Sequence, residues 1–176
     1  MVRNRREPPE GIAEVRIIGE VDWTMATSVL DGLDAVRNAK ELRVVIDTRG
    51  GDYHAAMRVY RGIRWHQAET KTALIGSKCQ SAGVVVALAC DRRVMRADSS
   101  FFMHLVSDIP GEADRWTVRR HMQASRALQA LDSEMLNMFA DRTGAALDVI
   151  LAEALKEQPS EPDWLMRHGF VHEVVA

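Results

Sequence analysis

Two residues far apart in the chain have types that could do chemistry together. Ser81 stands between two apolar stretches, so it would lie where a strand gives way to a helix. A helix N-terminus, with its unsatisfied N–H groups and positive dipole end, favours a developing anion. A serine needs a base within hydrogen-bond reach to act as a nucleophile, and His104, at the end of a later apolar stretch, could supply it. The chemistry that such a pair could perform is nucleophilic catalysis.

A pair of glycines, Gly50 and Gly51, ends an earlier apolar stretch. Without Cβ atoms, their backbone N–H groups could approach a ligand closely. Each feature also has a purely structural interpretation. A serine at a helix start is commonly an N-cap, paired glycines are commonly a tight turn, and a histidine among apolar residues is commonly a core side chain. The residue types alone leave both interpretations open.

The elements that must position these residues alternate between strands and helices. Such alternation predicts an α/β fold with a largely parallel sheet, which binds ligands at the carboxyl ends of its strands. Apolar runs predict strands at residues 15–18, 42–46, 72–75, 94–95, 101–104 and 171–175, with turns at 47–52 and 76–83. Apolar spacing of three and four predicts helices at residues 25–36, 55–63, 113–142, 147–157 and 164–168, with Gly144 as the stop of the long helix.

Composition excludes several classes of protein. The chain has 176 residues, 47% of them hydrophobic and 27% charged, with a net charge of −2, so it is typical of a globular domain and offers no basic field for nucleic acid. Its longest apolar run, residues 82–90, is too short to cross a membrane. Cys79 and Cys90 are too few for a disulfide framework, and we expect no metal or cofactor site. We expect a short flexible arm at residues 1–14 and a single cytoplasmic domain at residues 15–176.

Short motifs in a consistent order carry a family resemblance. Gly-Glu-Val-Asp at residues 19–22 resembles Gly-Gln-Val-Glu, and Ile-Asp-Thr-Arg-Gly-Gly at 46–51 resembles Ile-Asn-Ser-Pro-Gly-Gly. Ser-Ala-Gly at 81–83 is similar to the nucleophile motif Ser-Met-Gly, and Ser-Phe-Phe-Met-His at 100–104 is similar to Ser-Arg-Val-Met-Ile-His. Thr-Gly at 143–144 and Gly-Phe-Val at 169–171 complete the set. Over residues 15–176 the chain thus resembles the ClpP-like serine peptidases, the Clp protease proteolytic subunits of the ClpP/crotonase superfamily.

The resemblance implies a fold and a site. The fold is the ClpP/crotonase-like ββα superhelix, with residues 113–142 as a protruding handle helix. Ser81 would be the nucleophile and His104 the general base, while the backbone N–H groups of Gly51 and Ala82 would form the oxyanion hole. Substrate would lie extended along a strand, and the subunits would form a ring, with stacked rings joined through the handle helix.

Three departures from the family pattern bear on activity. The catalytic Asp of the family falls on Glu157, which could orient His104 or be a solvated carboxylate at a helix end. Asp148 and Glu153 are weaker substitutes on the same predicted helix. Gln80 occupies a position that usually holds a small residue, and Leu-Val follows His104 where the family usually has Gln-Pro.

Three functions follow from these observations. The first is a serine endopeptidase acting on unfolded proteins or peptides. The second is a catalytically inactive ClpP-like ring subunit with a structural or regulatory role. The third is a crotonase-type acyl-CoA enzyme, which shares the fold and the two-amide oxyanion hole. The resemblance also implies an AAA+ unfoldase as a partner, but few residues precede the first predicted strand, which counts against docking of such a partner.

Overall fold

A parallel β-sheet forms the centre of the molecule in a computed structural model that describes residues 11–107 and 117–176. In the described part of the chain the sheet has six strands in the order β1-β2-β3-β4-β6, with β5 beside β3. All strand pairs are parallel, which confirms the predicted α/β class. The strands are β1 (Ile12–Val21), β2 (Glu41–Gly51), β3 (Thr70–Gln80), β4 (Arg92–Arg96), β5 (Ser100–Phe102) and β6 (Glu173–Val175).

The helices pack around this sheet and supply the rest of the core. They are α1 (Trp23–Ala35), α2 (Tyr53–Trp65), α3 (Ala82–Ala87), α4 (Val118–Thr143), α5 (Leu147–Ala154) and α6 (Pro162–Arg167). Every residue of the short helix α3 is buried, and α3 packs against β2 and α2. Burying a side chain such as Val84 or Val86 stabilises the fold by about 1.5–3 kcal/mol each. The helix that follows Ser81 is therefore fixed firmly in place.

Two strands are longer than their apolar runs predict, so the turns predicted at residues 47–52 and 76–80 are wrong. Strand β3 continues through polar residues because it changes neighbours: Thr72–Ile75 pairs with β4, and Lys78–Gln80 pairs with β5. Its register against β2 shifts between Ile46 and Thr48. These irregular extensions carry the chain out to Gly51 and Ser81.

The ends of several other elements also differ from the predictions. Strand β1 begins at Ile12, inside the predicted arm, and residues 1–10 lie outside the described part of the chain. The start of the predicted helix at 113–116 also lies outside it, and α4 runs from Val118 to a left-handed Gly144. Helix α5 ends at Ala154, so Glu157 belongs to the following loop and not to a helix end. No helix among the described residues is long and apolar enough to span a membrane.

A buried arginine ties the C-terminal segment to the sheet. The side chain of Arg93, on β4, is 1% exposed and donates to the carbonyl oxygens of Cys90, Gly169 and Phe170. Burial, followed by the nearby charge of Arg142, lowers the pKa of Arg93 to about 10, so the guanidinium still carries its charge at neutral pH. One charged group thus satisfies carbonyls from two distant segments.

Candidate active site

Ser81 joins the end of β3 to the first residue of α3 in an unusual backbone conformation. Its φ is 52° and its ψ is −122°, a positive φ that costs a non-glycine residue about 1–3 kcal/mol. The N–H of Ser81 donates to the carbonyl of Phe102 at 2.7 Å, which ties it to the end of β5. The Ser81 side chain makes no capping hydrogen bond to α3, so the N-cap interpretation does not apply.

The two glycines are required by close packing at the ends of β1–β3. A Cβ on Gly50 would lie 2.6 Å from the Cβ of Ser81, and one on Gly51 would lie 2.3 Å from the carbonyl oxygen of Val21. Their φ angles, 101° and 147°, are also ones that residues with side chains rarely adopt. Because neither glycine has a side chain that would collide with these atoms, the backbone of β2 can run directly beside the serine.

His104 lies within hydrogen-bond distance of the serine. Its Nε2 is 2.8 Å from Ser81 Oγ, and its Nδ1 is 2.6 Å from the carbonyl oxygen of Leu105. A carbonyl oxygen can only accept, so Nδ1 must donate. A neutral imidazole has one N–H, and Nε2 is therefore the acceptor for the Ser81 hydroxyl proton. This is the tautomer that a general base needs.

The ring of Phe102 gives His104 a second constraint. The two rings are stacked, with centroids 5.3 Å apart and planes inclined by 27°. Phe102 thus contacts the base through its side chain and the nucleophile through its carbonyl oxygen. Sequence reasoning did not single out Phe102 or the Leu105 carbonyl. A backbone carbonyl has no residue-type signature, so the sequence could not point to the Leu105 oxygen. The departure from the family pattern at Leu-Val, directly after His104, was the one sequence feature at this place.

The carboxylates considered for the third position are not at the histidine. Glu157 is exposed, has a φ of 52°, and makes no hydrogen bond or ion pair with any residue in the described ranges. Asp148 is exposed and accepts from the neighbouring N–H of Val149 at 3.0 Å. Glu153 is 4% exposed and pairs with Lys156 at 2.6 Å. The structure brings Ser81 and His104 together and leaves all three carboxylates away from them.

A pocket of about 510 Å³ opens beside the pair. Gly51, Ser81, Ala82 and His104 line one part of it. Ala82 occupies the first position of α3, where its N–H has no partner within the helix. Helix α4 supplies an apolar part of the wall, while Asp52, Tyr53, His54 and Ser107 add polar groups elsewhere in the lining. The α4 residues are Ala124, Ala127, Leu128, Leu131 and Met135. The arrangement can hold an apolar side chain while backbone donors lie near the serine.

Other candidates near the site are structural. Cys79 is completely buried and burial raises the pKa of its thiol, so it is a packed side chain and not a nucleophile. Asp52 caps α2 by accepting from the N–H of Ala55 at 2.7 Å. Among the described residues, no group of three or more His, Cys, Asp or Glu side chains could hold a metal ion.

Comparison with known proteins finds one family. The family model of Clp protease matches residues 12–176. An ATP-dependent Clp protease proteolytic subunit of Streptococcus pneumoniae (strain 70585) is 22% identical over 171 residues, covering 92% of this chain and 84% of the relative. The protein of the same description from strain Hungary19A-6 has the same identity and coverage. A solved structure of a mutant ClpP1 from Listeria monocytogenes has a TM-score of 0.76 at 15% identity, covering 92% of this chain and 90% of that one, which shows a shared fold.

Proposed function

The chain belongs to the Clp protease family, and we propose that it is a serine endopeptidase that hydrolyses peptide bonds in unfolded proteins or peptides. The observation that carries the proposal is the 2.8 Å contact between Ser81 Oγ and His104 Nε2 in the wall of a pocket that α4 lines with apolar side chains. The tautomer fixed by the Leu105 carbonyl supports the role of His104 as a base. The relatives of known description are proteolytic subunits, which supports the choice of reaction.

The reaction follows from the positions of the two side chains. His104 Nε2 takes the proton of Ser81 as Oγ attacks the peptide carbonyl carbon, and the resulting oxyanion accepts from the N–H groups of Gly51 and Ala82. His104 then gives the proton to the departing amine as the C–N bond breaks. A water, deprotonated by the same nitrogen, then attacks the acyl carbon. As the bond to Ser81 Oγ breaks, His104 gives that proton to Oγ, which releases the acid product and restores the serine and the neutral imidazole.

The site works as a dyad in this proposal. When His104 becomes an imidazolium, Nδ1–H faces the dipole of the Leu105 carbonyl and not a full negative charge. A charged acceptor forms a stronger hydrogen bond than a neutral one, so we expect slower turnover than a carboxylate-containing triad would give. We assign Glu157 no catalytic part, because its carboxylate is exposed and bonds to none of the described residues.

The pocket supports a preference for apolar side chains next to the cleaved bond. The α4 part of its wall consists of Ala, Leu and Met side chains and carries no charge. A substrate would bind in extended form, through its own backbone groups and through the one apolar side chain that enters the pocket. We therefore propose polypeptide as the substrate class and no cofactor. The cytoplasmic location predicted from the sequence stays a prediction.

Assembly into a ring of identical subunits is part of the proposal. It is supported by α4, where only Met135 and Phe139 are buried over 26 residues, so that most of the helix is available to another subunit. Stacking of two rings through α4 would enclose the serines in a chamber. The relatives are described as ATP-dependent, which supports cooperation with an AAA+ unfoldase.

A second candidate function is a catalytically inactive ring subunit. The observation that favours it is the lack of a carboxylate at His104 Nδ1 among the described residues. Such a subunit would assemble normally and hydrolyse nothing. The two candidates therefore differ in turnover and not in assembly.

Hydrolysis of a fluorogenic peptide with an apolar residue before the leaving group tests the proposal. We expect Ser81→Ala and His104→Gln to lower kcat/KM by ~10³-fold or more, since each removes a reacting group. Ser77→Ala is the matched control, because Ser77 is also on β3 but bonds Asp47 at 2.9 Å, away from the pocket. Glu157→Gln should change the rate by less than ~3-fold, because nothing connects that carboxylate to His104.

The outcomes separate the two candidates. Loss of turnover in Ser81→Ala and His104→Gln with retention in Ser77→Ala supports the peptidase. Assembly without turnover in the unmodified protein supports the inactive subunit. Turnover in Ser81→Ala equal to that of the unmodified protein would overturn the proposed nucleophile.

A further inference from the structure

The carbonyl that orients His104 lies in a segment without regular structure. Residues 103–107 follow β5 and form neither helix nor strand. A catalytic group held by such a segment keeps its geometry only if something else fixes the backbone. A contact from outside this segment must therefore fix the peptide group that contains the Leu105 carbonyl.

A carboxylate on α4 fixes this peptide group. The N–H of Val106 donates to Asp132 Oδ1 at 2.7 Å, and Asp132 lies near the middle of that helix. The C=O of Leu105 and the N–H of Val106 belong to the same planar peptide group. His104 therefore bonds one side of this group and Asp132 bonds the opposite side.

We propose that Asp132 is the positioning residue for His104 and acts through the Leu105–Val106 peptide group. Since the peptide unit is rigid and α4 is regular, the two hydrogen bonds fix the direction in which the carbonyl points. They also act in series: a carboxylate accepting from the N–H polarises the peptide and makes its oxygen a better acceptor for Nδ1–H. A negative charge thus supports the imidazolium without contacting it.

With Asp132 in this role, His104 is oriented although no carboxylate among the described residues bonds its Nδ1. This role rests on the proposed function for its kinetic consequences, but the orientation of His104 does not depend on turnover. It also makes α4 part of the catalytic geometry as well as a wall of the pocket. A change that displaces α4 would move His104 with it.

Variants at Asp132 test the inference through kinetics. Asp132→Leu removes the acceptor and should lower kcat by ~10- to 100-fold, the cost of slight misplacement of a catalytic group, while KM changes by less than ~3-fold. Asp132→Asn keeps an oxygen acceptor without the charge and should retain more activity than Asp132→Leu. Asp141→Leu is the matched control, because the Asp141 side chain is exposed on the same helix and makes no hydrogen bond or ion pair with any described residue. It should leave kcat unchanged.

Nitrogen-15 NMR of the imidazole tests the inference without turnover. The protein has six histidines, so the signals of His104 are assigned by their loss in His104→Gln. The unmodified protein and Asp141→Leu should hold the proton on Nδ1 at a pH where the ring is neutral. Asp132→Leu should give a mixture of the two tautomers, and Asp132→Asn should remain close to the unmodified protein.

The kinetic and NMR measurements distinguish a failure of the positioning role from a failure of the proposed function. A peptidase whose kcat and His104 tautomer are both unchanged in Asp132→Leu would overturn the positioning role and leave the proposed function intact. A protein without turnover whose tautomer changes in Asp132→Leu would support the positioning role and count against the peptidase. If Asp132→Leu does not fold, Asp132→Ala takes its place, because alanine also removes the acceptor and is favoured in a helix. A kcat equal to that of Asp141→Leu, with an unchanged His104 tautomer, would then overturn the inference.

Discussion

Ser81 adopts a backbone conformation that is unfavourable for serine, and its neighbours explain why it persists. The residue is tied at its N–H to Phe102, followed by the buried helix α3, and packed against Gly50, whose missing side chain leaves room for it. These contacts lie in three different elements. The conformation is therefore a property of the whole site and not of the serine alone.

Substitution of Gly50 tests this dependence. In Gly50→Ala the new Cβ would be 2.6 Å from Ser81 Cβ, so the serine or β2 must move. We expect peptide hydrolysis to fall by ~100-fold or more and the free energy of unfolding to fall by about 1–3 kcal/mol. Steady-state kinetics and urea unfolding measure the two effects.

Gly32→Ala is the matched control for that substitution. Gly32 is inside α1, and a Cβ there would meet only Val15 Cγ1, at an ordinary 3.8 Å. Alanine is favoured over glycine in a helix interior, so we expect the free energy of unfolding to rise by about 0.5–1 kcal/mol and activity to stay the same. Equal effects of the two substitutions would contradict the packing explanation.

At the level of single residues, the sequence identified the reacting residues but not the group that is hydrogen-bonded to His104. Ser81, His104, Gly51 and Ala82 were found through short motifs, and they line one pocket. The group that bonds His104 Nδ1 could not be found in this way, because it is a backbone carbonyl. Its position depends on a long-range contact to α4, which no local pattern encodes.

The elements themselves follow from apolar patterns only where those patterns are continuous. The α/β alternation was predictable because each strand has an apolar run and α4 has good helix formers over its whole length. The extensions of β2 and β3 were not, since their residues are polar and their pairing depends on a change of neighbour. Helix α5 ends at Ala154 although the helix formers Leu155, Lys156 and Glu157 follow it, so propensity did not locate its end.

Arg93 connects elements that are distant in sequence, and replacing it should lower the free energy of unfolding. In Arg93→Met, the buried carbonyl of Phe170 and the partly buried carbonyl of Gly169 would lose a charged donor, and the carbonyl of Cys90 would keep only its bond from Arg142. We expect the free energy of unfolding to fall by about 3 kcal/mol or more, because buried unsatisfied groups carry their full desolvation cost. Urea unfolding measures it.

The adjacent arginine is the control. Arg92 is exposed and forms a surface ion pair with Glu173, so Arg92→Met should cost less than about 1 kcal/mol. A loss for Arg93→Met no larger than the loss for Arg92→Met would contradict the role of Arg93 in tying down the C-terminal segment.

At the scale of the whole molecule, α4 is much less buried than a helix of its length in a single domain would usually be. Val118 and Met122 are 78% and 53% exposed, although both are apolar. The helix also borders the pocket and holds Asp132. In the proposed ring, assembly through α4 and the geometry of the site would be coupled.

Assembly can be tested by light scattering of the purified protein. We expect a particle several times the 19.7 kDa mass of one chain. Val118→Glu and Met122→Glu should reduce that mass, because a charge buried at an interface without a partner is unfavourable. Met166→Glu, on α6 and 47% exposed, is the control and should leave the mass unchanged. A monomer in the unmodified protein would contradict the proposed ring.

The most direct test of the central claim is covalent labelling of the serine. A fluorophosphonate reacts with a serine only when a base activates it, so the label should be found on Ser81 by peptide mapping. Ser81→Ala should not react, His104→Gln should react slowly, and Ser77→Ala should react like the unmodified protein. Labelling that persists in Ser81→Ala, or an unmodified protein that does not react at all, would contradict the account of Ser81 as a nucleophile activated by His104.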